Sequence, residues 1–324
     1  MGSNNLEVYL MNDDSNNGER RYIWILGLLH SGTTVFWKAW REDKRFLCFD
    51  EPLRTAEELN GCYPSNNSKK TLDELITLLE KDPKTFWNLA THSSPLDELD
   101  EEINSGQQRF LRYLMQQSSR VVIDETHLHL RISSLPQIAP NAHVIHLYRR
   151  ARAFVTSHLR PTWSRETTWS RRIVRRLRHE HNKRIFWDRP DLLHGLARHE
   201  FIGQDPLNKF GLRLTKAGYD VKRIMEGPAV IRLLAYWHYH YHFLEREGPS
   251  CFPEHFKSVR YEDFANNPQT TMSEIYQWLK MVEPNNFQYN FVHGPKPPYQ
   301  ANDRRWIEFA RVAGFTEEEI VTLL

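Results

Sequence analysis

The sequence predicts an α/β fold in which a central parallel sheet is flanked by helices. Three observations lead to this prediction. The chain has 324 residues, 40% of them hydrophobic, which is enough to bury one large core. Several short apolar runs have the character of strands buried on both faces. The first of these runs is followed by a glycine-containing loop and then by a helical pattern, an arrangement suited to binding phosphate.

The first predicted unit is strand, loop and helix. The apolar run Tyr22–Leu26 is the strand, Gly27–Gly32 the loop and Thr33–Arg41 the helix. The first amides of a helix lack intrahelical partners and carry partial positive charge, so they favour an anion. Glycines let the backbone approach such a ligand, and hydroxyls add donors, here Ser31, Thr33 and Thr34. The alternative is a turn that only tolerates glycine.

The loop lacks the lysine of a nucleotide P-loop. Gly27 and Gly32 have the spacing of the G-x-x-x-x-G frame, but Thr33 and Thr34 stand where Lys-Ser/Thr is expected. That lysine reaches the β- and γ-phosphates in ATP and GTP enzymes, so its absence favours a different phosphate ligand.

The second predicted strand, Phe46–Phe49, ends in Asp50, Glu51 and Pro52. Ligands of open α/β sheets collect beyond the carboxyl ends of the strands, so these carboxylates are expected near the phosphate loop. Glu51 is therefore a candidate base, with a solvated turn carboxylate as the alternative.

The next predicted strand, Arg120–Asp124, places His127 just beyond its end. Histidine accepts a proton near neutral pH, which makes His127 a second candidate base. A buried histidine with a structural hydrogen bond is the alternative. Further strands are predicted at His143–Tyr148 and Phe256–Tyr261, with a helix from Pro268 to Leu279.

A long helix is predicted from Pro228 to Leu244, and it carries His238 and His242 on one face. Their i,i+4 spacing suits a metal. Because the sequence shows no third ligand, packing in a core or groove is favoured, and no metal is expected.

Composition argues against several classes of protein. A net charge of +2 with 26% charged residues gives no global reason to expect nucleic acid or a membrane as partner. The basic stretch Arg160–Arg184 is interpreted as an acceptor or cofactor cap, or as a solvated helix face. Three separated cysteines, and an N-terminus unlike a signal peptide, indicate a cytoplasmic protein with reduced thiols.

The loop Gly27-Leu-Leu-His-Ser-Gly-Thr-Thr34 resembles the 5′-phosphosulfate loop of sulfotransferases that use 3′-phosphoadenylyl sulfate (PAPS). The resemblance implies a P-loop-nucleotide-hydrolase-like sulfotransferase fold. It also implies that the loop holds the phosphosulfate through Leu28, Leu29, His30, Ser31, Gly32, Thr33 and Thr34. The family has Arg or Lys at the position of His30, so here a protonated His30 is the candidate cation at the bridging oxygen.

Other segments carry the same resemblance. The family binds the 3′-phosphate with an arginine at a strand end and a serine eight residues later, which matches Arg149 and Ser157. A guanidinium fork and a hydroxyl are suitable phosphate donors. The run V-R-Y-E-D-F resembles the family segment whose tyrosine lies by the adenine, which implicates Tyr261. Lys296 falls where a basic loop often returns to the 3′-phosphate. The alternatives are a surface arginine for Arg149 and a half-buried edge-strand aromatic for Tyr261.

The resemblance also bears on the base. Some families place a catalytic glutamate about where Glu51 stands, whereas cytosolic members carry K-T-H-L-P with histidine as base. Here that segment is Glu125-Thr-His-Leu-His129, so Glu51 is preferred over His127.

The function implied is transfer of a sulfuryl group from PAPS, by in-line attack, to a hydroxyl or amine of a small-molecule acceptor. Two alternatives stay open: a P-loop phosphotransferase without the loop lysine, and a non-catalytic protein that binds adenosine 3′,5′-bisphosphate. We expect residues 1–20 to form a flexible tail and residues 21–324 a single domain, with an insertion around 160–227 covering the substrate. Acceptor and oligomeric state stay open.

Overall fold

A computed structural model describes residues 20–53, 73–91, 99–100, 102–158, 204–284, 289–292, 294 and 304–324. Most of the predicted tail, the basic stretch Arg160–Arg184 and the predicted phosphate ligand Lys296 lie outside the described residues.

The predicted parallel α/β sheet is confirmed. Five described strands form one sheet in the order β2-β3-β1-β4-β5, and every neighbouring pair is parallel. The strands are β1 Arg21–Leu26, β2 Leu47–Asp50, β3 Arg120–Asp124, β4 His143–Tyr148 and β5 Phe256–Arg260. The predicted bounds of β3 and β4 are correct, while β5 ends one residue earlier than predicted because Tyr261 begins a helix.

Helices flank the sheet on both faces. The helices among the described residues are α1 Thr33–Glu42, α2 Asp73–Lys81, α3 Pro83–Leu89, α4 Ser105–Met115, α5 Ala151–Ser157, α6 Gln204–Lys216, α7 Val221–Glu226, α8 Ala229–Cys251, α9 Tyr261–Asn266, α10 Pro268–Trp278, α11 Arg304–Val312 and α12 Glu317–Thr322, with a 3-10 helix at His129–Gln137. Helix α6, which has 13 residues, lies within the predicted insertion around 160–227.

The central strand β1 shows why both faces of the sheet are packed against helices. Its residues Ile23 to Leu26 are fully buried, and they alternate between two hydrophobic clusters. Trp24 and Leu26 belong to the cluster that includes Phe110 of α4, whereas Ile23 and Ile25 belong to the cluster that includes Phe36 of α1. A strand buried on both faces is the physical basis of the continuous apolar run in the sequence.

The chain divides into two compact units. The first comprises Met1–Tyr148 with Phe243–Pro295, and the second Arg149–His242 with Lys296–Leu324. The first unit contains the sheet, and the expectation of a single domain stays a prediction. Among the described helices, no segment combines the length and hydropathy required to cross a bilayer.

The order of the strands locates the expected ligand site. Strand β1 lies between β3 and β4, so the strands that follow it in sequence lie on both sides of it and the strand order reverses at β1. In open parallel sheets this reversal opens a crevice at the carboxyl ends of the strands. The loop after β1 and the turns after β2 and β3 all lie at that edge.

Candidate functional site

The loop that follows β1 turns tightly before α1. The amide of Ser31 donates to the carbonyl oxygen of Leu28 at 2.9 Å. His30 and Gly32 have positive φ angles of 69° and 97°. Gly27 is required for close packing, because a Cβ atom there would stand 2.5 Å from the carbonyl oxygen of Leu147 in β4.

The start of α1 presents hydrogen-bond donors. Gly32 is the N-cap residue and has no side chain with which to cap the helix. The amides of Val35 and Phe36 both donate to its carbonyl oxygen at 3.1 Å. The amides of Thr33 and Thr34 precede any intrahelical acceptor, as in every first helical turn. Such amides favour an anionic ligand.

A buried hydroxyl lies in the same loop. Ser31 is 1% exposed, and its Oγ atom has no hydrogen-bond partner among the described residues. Burying a hydroxyl without a partner is unfavourable, so an unpaired buried donor is a recognised feature of ligand sites. Together with the helix start, Ser31 makes the loop a fitting cradle for a phosphate or sulfate group.

Tyr261 packs directly on this loop. A Cβ atom added at Gly32 would overlap the ring of Tyr261. Tyr261 is the first residue of α9 and follows β5, at the edge of the sheet where the loop lies. The structure therefore brings together two segments that the sequence analysis assigned to the same nucleotide.

Glu51 is held in a specific conformation after β2. Its φ angle is 43°, which is uncommon for a residue other than glycine. Its amide donates to the carbonyl oxygen of Asp124 at 2.8 Å, and its Oε1 atom accepts a 2.7 Å hydrogen bond from the hydroxyl of Thr126. Glu51 is half-buried. Because β2 lies two strands from β1, the backbone of Glu51 is roughly 10 Å to the side of the phosphate loop.

Glu125 occupies the place where the resembled family has lysine, and it has a structural role here. It is fully buried, and its carboxylate accepts the amides of Leu53 and His127 at 3.1 and 3.2 Å. Burial raises the pKa of this carboxyl group. The carboxylate thus ties the turn after β2 to the turn after β3.

Two further carboxyl groups lie side by side in the sheet. Asp50 and Asp124 are partners in the register of β2 and β3, and both are buried. Burial, reinforced by the charge of Glu51, raises the pKa of Asp50 to about 7. Burial and the neighbouring Asp50 raise the pKa of Asp124 well above its usual range. Two carboxyl groups buried side by side disfavour the ionisation of both.

The two histidines named as candidates differ in exposure. His127 is 5% exposed, and its backbone is fixed by the Glu125 carboxylate and by a 2.9 Å hydrogen bond from Arg131 to its carbonyl oxygen. His30 is exposed on the phosphate loop. Glu51, which is half-buried, is more accessible than His127, the other candidate base.

Arg149 and Ser157 belong to the second unit. Arg149 immediately follows β4, and Ser157 ends α5. The Ser157 hydroxyl donates to the carbonyl oxygen of Phe154 at 2.6 Å. To donate to a phosphate, the Ser157 hydroxyl must first give up its hydrogen bond to Phe154. Their predicted role at the 3′-phosphate stays a prediction.

Sequence reasoning placed Asp50 near the phosphate loop, but it identified neither Thr126 nor the pairing of Asp50 with Asp124. Thr126 orients Glu51, and Asp50 and Asp124 form the carboxyl pair. The sequence did contain a signal for the pair, since Asp50 directly follows one predicted strand and Asp124 ends another. No spacing rule connects Thr126 to a glutamate that precedes it by 75 positions.

Comparisons with known proteins complete the description. No protein-family model and no curated protein matches the sequence. Among solved structures, sulfotransferase STF9 from Mycobacterium avium is similar at 16% identity, covering 98% of this chain and 79% of its own, with a TM-score of 0.46. A sulfotransferase domain from the curacin biosynthetic pathway is 15% identical, covering 81% and 75%, with a TM-score of 0.44.

Mouse sulfotransferase SULT7A1, solved in complex with PAP, is 12% identical over 98% of this chain and 73% of its own, with a TM-score of 0.36.

Proposed function

We propose that the protein is a PAPS-dependent sulfotransferase that acts on a hydroxyl or amine of a small-molecule acceptor. The observation that carries the proposal is the cradle after β1. There the buried hydroxyl of Ser31, without a partner among the described residues, adjoins the start of α1, and Tyr261 packs on Gly32. These features fit a phosphosulfate group, and the loop has no lysine with which to reach the phosphates of ATP.

The residues of this chain would divide the binding of PAPS among them. The loop Leu28–Thr34 would hold the 5′-phosphosulfate, with Tyr261 by the adenine, and Arg149, Ser157 and Lys296 by the 3′-phosphate. When bound, PAPS would supply the sulfuryl group, whose bond to the phosphate oxygen breaks as the acceptor bonds to sulfur.

Glu51 would act as the base. Its carboxylate would take the proton from the acceptor hydroxyl or amine, and the bond from Thr126 would keep it oriented. The amides at the start of α1 would stabilise negative charge on the departing phosphate oxygen, assisted by a protonated His30. His127 is the second candidate base, and its burial makes it less accessible to an acceptor.

A cytoplasmic location is part of the proposal. Cys48 and Cys251 are free thiols, as expected in a reducing compartment. Fractionation of cells that express the protein would test this location, and recovery outside the cytosolic fraction would contradict it.

Thermal unfolding tests which nucleotide the protein binds. It is measured with adenosine 3′,5′-bisphosphate and, separately, with ATP plus Mg²⁺. A ligand at a hundred times its dissociation constant stabilises the folded state by about 2.7 kcal/mol, which raises Tm measurably. We expect a shift with the bisphosphate and none with ATP. A shift with ATP alone would instead indicate a kinase.

Turnover with PAPS and a pool of phenols, alcohols and amines then separates the enzyme from a binding protein. We expect release of the bisphosphate that depends on an acceptor and is independent of Mg²⁺. Tight binding of the bisphosphate without turnover across the pool would support the non-catalytic alternative.

A further inference from the structure

A cluster of three potential metal ligands lies in the second unit, independent of the proposed function. His238 and His242 are one turn apart on α8, and Glu319 lies on α12. Their ligand atoms all lie within 4.8 Å of one another. The sequence showed the two histidines, but the third group is 77 positions beyond His242 and could be found only from the structure.

Each side chain is oriented by a neighbour. The Nδ1 atom of His238 is 2.7 Å from the hydroxyl of Tyr219, so the opposite ring nitrogen, Nε2, points toward Glu319. The carboxylate of Glu319 is held by the capping box of α12, in which the amide and hydroxyl of Thr316 donate to Oε2 at 2.7 and 2.9 Å. Metal-binding side chains are commonly oriented by such secondary contacts.

The distances between the ligand atoms approach those of a tetrahedral site. The two Nε2 atoms are 3.1 Å apart, and Glu319 oxygens lie 3.2 Å from Nε2 of His238 and 2.6 Å from Nε2 of His242. Ligands bound at about 2.0–2.1 Å around tetrahedral zinc are about 3.3–3.4 Å apart. Small side-chain rotations that widen the cluster by less than an ångström would therefore make room for an ion.

The cluster opens on a cleft. The three side chains line a cavity of about 420 Å³ together with Tyr219, Asp220, Arg223 and Gly314, among others. The side chain of His238 is 8% exposed, whereas that of His242 is 42% exposed. An ion could enter from this side, and a water molecule could occupy a fourth coordination position there.

We propose that His238, His242 and Glu319 form a Zn²⁺ site, completed by a water molecule from the cleft. Two imidazoles and one carboxylate are a ligand set typical of zinc, whereas Mg²⁺ and Ca²⁺ prefer oxygen ligands alone. The ion links α12 to α8 and so stabilises the folded second unit.

Cobalt provides the test, because tetrahedral Co²⁺ absorbs visible light and substitutes for Zn²⁺. The full chain, stripped with EDTA and kept reduced, is titrated with Co²⁺ and then with Zn²⁺. We expect one equivalent of Co²⁺ to give a tetrahedral spectrum, and Zn²⁺ to abolish it. Zn²⁺ should also raise Tm, whereas Mg²⁺ should not.

Variants test whether the Co²⁺ spectrum arises from this cluster. His242→Gln and Glu319→Gln should weaken Co²⁺ binding at least tenfold, while His255→Gln, a half-buried histidine of the first unit, should leave it unchanged. Glu319→Gln keeps an oxygen for Thr316, so its Tm in EDTA should stay near that of the parent. If Glu319→Gln unfolds, the result for His242→Gln is used instead, because the His242 side chain is the more exposed. An unchanged cobalt spectrum in His242→Gln, or no spectrum in the parent, would overturn the proposal.

Discussion

The ring of Tyr261 occupies the space into which a side chain at Gly32 would project. Gly32 also has a φ angle of 97°, so both its backbone conformation and its surroundings require glycine. This contact joins the phosphate loop after β1 to the residue that follows β5.

Gly32→Ala should therefore lower stability and abolish binding of the bisphosphate. A residue other than glycine in this conformation costs on the order of 1–3 kcal/mol, and the overlap with Tyr261 adds to that cost. Gly218→Ala is the matched control, since Gly218 has a φ angle of 85° but no atom within 4 Å of an added Cβ. Urea unfolding should show the larger loss for Gly32→Ala. Equal losses would mean that Tyr261 does not restrict this position.

Ser31→Ala and Ser134→Ala should differ in their effect on stability. Ser31 has a buried hydroxyl without a partner among the described residues, so its removal should leave apo stability unchanged or raise it. The buried Ser134 hydroxyl accepts the amide of Ile103 at 3.2 Å, and its removal should cost about 1–3 kcal/mol. Binding of the bisphosphate should weaken about tenfold in Ser31→Ala only. Unchanged affinity would remove Ser31 from the cradle.

Glu51→Gln should lower kcat by about 10²–10⁴-fold with little change in nucleotide affinity, as expected when a general base is lost. His127→Gln should have a smaller effect. Steady-state rates at saturating PAPS distinguish the two candidates. Near-normal turnover in Glu51→Gln would leave His127 as the base.

Thr126→Val tests whether the hydroxyl bond orients Glu51. A hydrogen bond to a charged group contributes about 1.5–3 kcal/mol, so kcat should fall roughly 10- to 100-fold. Thr215→Val is the control, because the Thr215 hydroxyl donates to the carbonyl oxygen of Gly211 within α6. If both variants keep full activity, Thr126 does not position the base.

The Asp50–Asp124 pair should make stability depend on pH. The pKa of Asp50 is raised to about 7, so the folded state binds more protons than the unfolded chain between about pH 4 and 7. The contribution of Asp50 is fully present below about pH 4 and is lost as pH rises through 7. His143 acts in the opposite direction, because burial lowers its pKa to about 4.

Comparison with Asp50→Asn isolates this contribution. Relative to the parent, the variant should gain stability in urea unfolding as pH rises from 5 to 8. Each unit of pKa shift corresponds to about 1.4 kcal/mol. Glu226→Gln removes an exposed carboxylate and should show no such trend. A difference between Asp50→Asn and parent that stays constant with pH would contradict the prediction.

The sequence predicted the sheet well because four of its five strands, all but β5, are mostly buried. β3 contains the apolar run Val121–Ile123, β4 combines apolar residues with the buried His143 and His146, and the predicted bounds of both strands are those observed. The resemblance implied that Tyr261 contacts the nucleotide, but nothing in the sequence predicted its contact with the loop, since apolar patterning contains no information about which strand ends meet. The conformation of Glu51 and the approach of Glu319 to His238 depend on tertiary structure that no local pattern encodes.

The position of β1 has a consequence for synthesis. Both of its neighbours come later in the chain, at Arg120–Asp124 and His143–Tyr148. Translation at about 5–20 residues per second would leave the apolar strand without its first partner for roughly 5–20 seconds and without its second for roughly 6–24 seconds. The strand at the centre of the finished sheet is therefore the first of the five to be made, and it must wait for both of its neighbours.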